Sequence, residues 1–107
     1  MRKRLLRVSA TLLLFGCLAW AGGESWTGVV SDSHCGAKHA TASDAAAGCV
    51  NKCVEGGAKY VLVDAQGDVY ALSDQRKPAG FAGKPVVVAG HIDPKARSIH
   101  VHTLKAP

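Results

Sequence analysis

Aromatic side chains are scarce in this 107-residue sequence: two tryptophans, two tyrosines and two phenylalanines, with a single methionine. So few rings make poor stacking platforms, and core packing explains Trp26, Tyr60, Tyr70 and Phe81 better than base or sugar binding. Acidic residues are also few, eight against 13 lysines and arginines. Several motifs are missing altogether. There is no C-x-x-C pair, no H-E-x-x-H, no nucleophile elbow and no phosphate-binding loop; Gly80 and Gly83 sit in a connection without the required spacing. No apolar run reaches the roughly 20 residues of a membrane span. These absences disfavour thioredoxin-like, zincin, serine-hydrolase and nucleotide-hydrolysing chemistry. The expectation is a protein that is not an enzyme.

What is present begins with an export pattern. Arg2, Lys3, Arg4 and Arg7 make a cationic start, residues 8–18 are mostly apolar, and Ala19-Trp20-Ala21 is a small-x-small cleavage signal. This predicts a signal peptide at 1–21, a mature domain at 22–107 and a periplasmic or secreted location. Leu14-Phe15-Gly16-Cys17 loosely matches a lipoprotein box, so lipidation at Cys17 is a minority alternative, and a retained N-terminal anchor is another. The signal would take four basic residues and no acidic ones. Nine basic residues then face eight acidic ones, a balance of +1, so there is no strong nucleic-acid signal. No partner is identified, and membrane contact is expected only through the signal or a lipid on Cys17.

The mature segment alternates strand-forming runs with turn residues. Residues 24–32 read as a strand in which Gly28 marks a bend or bulge. Residues 45–55 read as a short helix, capped by Thr41 or Ser43 and stopped by Gly56-Gly57. Residues 59–64 and 68–73 form a hairpin, and 74–83 is a connection that includes about one helical turn. Residues 85–92 and 98–104 are two further strands joined at 93–97. In the last strand Ile99, Val101 and Thr103 alternate with His100 and His102, which predicts one apolar and one polar face. The expected fold is mainly β: a small five-stranded OB-like Greek-key barrel, with one short helix inserted between strands 1 and 2. That insertion, at about 33–57, carries the cysteines. An open meander with one packed helix is the alternative.

Asp32-Ser-His-Cys35-Gly-Ala-Lys-His39, Cys49-Val-Asn-Lys-Cys53-Val54 and Gly57-Ala-Lys-Tyr60 form a recurring pattern, D-S-x-C-G-x-x-H … C-x-x-x-C-V … G-x-K-Y. It resembles that of a family of small secreted bacterial proteins, and Val69-Tyr-Ala-Leu72 and Phe81-Ala-Gly-Lys-Pro-Val-Val-Val88 extend the likeness. The resemblance implies the architecture and singles out the Cys/His positions. It implies no activity.

The cysteine and histidine spacing leaves three chemistries open. Cys49 and Cys53 lie one helical turn apart, and Cys35 and His39 share that spacing. Together they could make a Cys₃His set for zinc or copper, with His34 as a substitute and Asp32 as an outer support. Alternatively, Cys35 pairs with Cys49 or Cys53 in a structural disulfide that staples a ligand- or partner-binding barrel. The third is a thiol-redox protein with a cysteine activated by His34 or His39. His91, His100 and His102 form a possible second metal patch.

Overall fold

The computed structural model describes residues 24–107, so the signal peptide at 1–21 and the Cys17 alternative lie outside the described residues. Five strands build the fold: β1 (Glu24–Asp32), β2 (Tyr60–Val63), β3 (Val69–Leu72), β4 (Pro85–Asp93) and β5 (Ser98–Lys105). They close in the order β1-β2-β3-β5-β4, with β4 returning to β1. Every pairing is antiparallel except that of β3 with β5. This is the OB-like barrel the strand count predicts.

Gly28 is where β1 changes partners. Residues 24–29 pair with β4 and residues 29–32 with β2, so the following Val29 pairs with both. A Cβ at Gly28 would lie 2.4 Å from the Val63 carbonyl oxygen, so only glycine lets the chain bend through this point.

The core is small and branched. Val30, Leu62, Leu72, Val86, Val88 and Ile99 fill the interior with Tyr60, while Trp26, Tyr70 and Phe81 pack at its margins. The aromatics thus serve the core. A short 3-10 turn, Lys77–Phe81, brings Pro78 into a fully buried position, and the following Ala82 bridges to Val30.

One sequence expectation needs correcting. Thr103 is exposed and Leu104 packs against the core, so the alternation in β5 slips by one residue. The cause is a bulge: Gly90 pairs with Val101 and Ala89 with Thr103, leaving His102 without a partner of its own.

The helix α1 (Asp44–Glu55) lies between β1 and β2. Ser43 is its cap, its hydroxyl accepting from the Ala46 N–H at 2.9 Å. Ala46 and Val50 are buried beneath it and Val54 packs on the core, so the helix is held by one apolar face. Gly83 sets how close it comes. The Gly83 carbonyl accepts from the Ser43 N–H, and a Cβ there would meet the Ala47 nitrogen at 2.3 Å.

Candidate metal centre

The insertion leaves the barrel through a tight neck. Asp32 pairs with Tyr60, the Ser33 N–H donates to the Lys59 carbonyl at 2.8 Å, and the Lys59 N–H donates to Ser33 Oγ at 2.9 Å. Immediately beyond, the fully buried Asp32 turns the chain. Its Oδ1 accepts the backbone N–H groups of His34 at 2.9 Å and Cys35 at 2.8 Å. Asp32 therefore orders the loop. A 3-10 turn, Gly36–His39, follows, tied back by the Ser31 hydroxyl donating to the Gly36 carbonyl.

This turn points Cys35 at the helix. Its Sγ lies 3.9 Å from Cys49 Sγ and 4.0 Å from Cys53 Sγ, and all three sulfurs lie within 4.8 Å of one another. A tetrahedral ion with metal–sulfur bonds of about 2.3 Å would set its thiolates roughly 3.8 Å apart. The observed spacings match that edge. The three cysteines are free, and these separations are well beyond a covalent S–S bond of about 2.05 Å. No disulfide is formed among the described residues.

The two candidate histidines separate. His39 lies beside Cys35: ligand atoms of Asp32, Cys35 and His39 lie within 4.8 Å of one another, a second group that shares Cys35 with the three sulfurs but does not include Cys49 or Cys53. His39 Nε2 and Asp32 Oδ2 are buried with no hydrogen-bond partner. Unpartnered polar atoms of this kind are costly unless something charged meets them. His34 is exposed instead, on an open cleft of about 420 Å³ lined with Ser33, Cys53, Gly56 and Ala58. The cleft gives solvent a route to Cys53. His91, His100 and His102 belong to β4 and β5 and not to the segments that carry the cysteines.

The electrostatics favour the protonated form of the Cys35 and Cys53 thiols. Burial raises the Cys35 thiol above its ordinary value, with the Cys49 contact and the Asp32 charge adding to the effect. Cys53 is pushed up to about 12, first by burial, then by the Cys35 contact and the Asp32 charge. A reactive thiolate needs the opposite environment. A bound cation reverses this logic, because a coordinating thiol is deprotonated outright.

Sequence reasoning missed Gly83, which lets α1 and its two cysteines approach the barrel. Its only signal is a glycine in a connection, with nothing to say what would press on it. No curated protein and no solved structure matches the chain. The matched family segment begins just after Cys53, so it covers Gly57-Ala-Lys-Tyr60 and strands β2 to β5 but not the cysteines. Residues 54–107, half of the chain, match the family described as protein of unknown function (DUF5818), and the chain belongs to that family.

Proposed function

We propose that this protein is an exported, non-catalytic metal-binding module. It holds zinc or copper(I) on the thiolates of Cys35, Cys49 and Cys53, with His39 as fourth donor. The observation that carries this reading is the pair of sulfur separations, 3.9 and 4.0 Å, which suit thiolates sharing one ion. The unpartnered, buried Nε2 of His39 supports the choice of fourth ligand. Thiolate-rich sets favour zinc and copper(I) over harder ions. The cleft beside Cys53 suits an ion that is passed on as well as one that is stored, since an incoming donor can reach that sulfur. Export rests on the charged, apolar and small-residue segments at 1–21.

A disulfide from Cys35 to Cys49 or Cys53 is the second reading, favoured by the same short separations and by an oxidising destination. Intact mass and metal analysis of the protein recovered from an oxidising compartment distinguish the two. One equivalent of zinc or copper, lost on Cys53→Ser, supports the metal site. A mass lower by two hydrogens with no metal supports the disulfide. Free alkylation of all three thiols in the native protein defeats both.

A further inference from the structure

Three of the five histidines belong to β4 and β5 and not to the insertion that carries the cysteines, and they stand together. His91 and His100 face each other across the β4–β5 ladder, and all three of His91, His100 and His102 are exposed. The ring centres of His91 and His102 are 5.2 Å apart, and those of His100 and His102 are 5.7 Å apart, both pairs edge-to-face. The bulge produces this grouping. As the extra residue of β5, His102 turns outward beside its neighbours. Gly90 allows the strands to approach there, because a Cβ would lie 1.9 Å from the His100 carbonyl oxygen and 3.2 Å from the His102 nitrogen.

We infer that His91, His100 and His102 form a second metal site, selective for a divalent late transition-metal ion. With metal–nitrogen bonds of about 2.0–2.1 Å, each ring centre lies about 3.2 Å from the ion, and a tetrahedral angle sets two centres about 5.2 Å apart. The two observed spacings, from His102 to His91 and to His100, are close to this, and bringing all three nitrogens to one point takes a rotation of the rings. Exposed side chains rotate on the picosecond-to-nanosecond scale, so each ring can turn a nitrogen to the shared point. Three imidazoles leave a coordination position open to water or another small ligand. An all-nitrogen set suits nickel(II), copper(II) and zinc(II), whereas the cysteine cluster is soft. The barrel thus carries two sites of different chemical character.

The test uses nickel(II) on the full exported protein after one equivalent of zinc has been added. Should the cysteines take no zinc, nickel–thiolate charge-transfer absorption reports their occupancy separately, so this result is independent of the first site. Nickel should broaden the imidazole proton resonances of His91, His100 and His102 together, with one equivalent bound by calorimetry. Removing even an outer support of a metal ligand costs about 10–100-fold in affinity, so His91→Gln, His100→Gln and His102→Gln should each cost about tenfold or more. His34→Gln should leave this binding unchanged. Unchanged melting confirms that each variant is folded, and the broadening in the parent protein needs no variant. The inference is overturned if any of the three sets of resonances stays sharp, or if one substitution accounts for all the binding.

Discussion

Gly83→Ala is the most informative single substitution, because it tests the fold and the cysteine site together. Gly83 has φ +69°, a conformation that costs an alanine about 1–2 kcal/mol. The new Cβ would also lie 2.3 Å from the Ala47 nitrogen and 2.6 Å from its Cα, both backbone atoms. Backbone cannot rotate aside, so α1 must move by about 1 Å, and overpacking of this kind costs about 1–3 kcal/mol. The sum is about 2–5 kcal/mol. In a domain of this size that lowers the melting temperature by at least roughly 8 °C. The helix carries Cys49 and Cys53, whereas Cys35 rides on the turn after β1. A shift of that size exceeds the roughly 0.2 Å tolerance of metal–ligand distances, so zinc affinity should fall as well. Thermal unfolding without metal gives the first effect, and competition with a chromophoric zinc chelator gives the second. Parental melting in Gly83→Ala would refute the packing argument. Weaker melting with full zinc affinity would show that the helix does not set the sulfur geometry.

Gly48 is the contrasting case: it sits on the exposed side of α1 with no heavy atom within 4 Å of where a methyl would sit, so Gly48→Ala should raise stability by about 0.5–1 kcal/mol in denaturant titration. Asp32→Ala should cost about 1–3 kcal/mol by leaving two backbone donors without their acceptor, and it should weaken zinc binding by freeing Cys35. Asp32→Asn keeps an acceptor at that point and should recover most of the loss; equal damage from both would mean that the turn is not the reason. The Asp74 carboxyl is held down to about 2 by the Lys77 N–H, then the Lys77 ammonium and the Arg76 N–H. Because this pKa is depressed, its contribution is complete above the ordinary carboxylate value and disappears as pH falls from about 4 toward 2. Melting curves of parent and Asp74→Asn should converge over that window, and a gap that stays constant would contradict the assignment.

Features that arise from local chemistry are legible in the sequence. β1 is visible in its tryptophan and valines, α1 in the valine and cysteine spacing above Gly56-Gly57, and the barrel in five strands and their turns. Features that arise from two segments pressing together are hidden. Simple alternation puts Thr103 inward, but the close passage of Gly90 inserts a bulge and brings Leu104 inward instead. The choice of Ser43 over Thr41 as cap also depends on tertiary structure, since the Ser43 N–H is bonded to Gly83. The cysteines are legible as a set of suitable residues. Their convergence is not, because it depends on the Asp32 turn aiming Cys35 across a gap of 14 to 18 residues.

The location of the cysteine site gives a physical reason for it to be filled. The five strands close on themselves, so the barrel core does not depend on the 33–59 excursion for its pairing. The excursion, in contrast, meets the core mainly through Ala46, Val50 and Val54, and with Asp32 at its base it holds a buried carboxylate oxygen and a buried imidazole nitrogen with no partner. Such a segment is poorly supplied with apolar contacts and burdened with polar ones, which places it at the low end of local stability. A ligand that binds only the ordered form stabilises it by mass action, and a metal on thiolates from both ends of the excursion is such a ligand. On the proposed metal-binding reading, folding of the insertion and occupancy of its sulfurs are two aspects of one equilibrium. The barrel serves as the rigid frame against which that equilibrium is set.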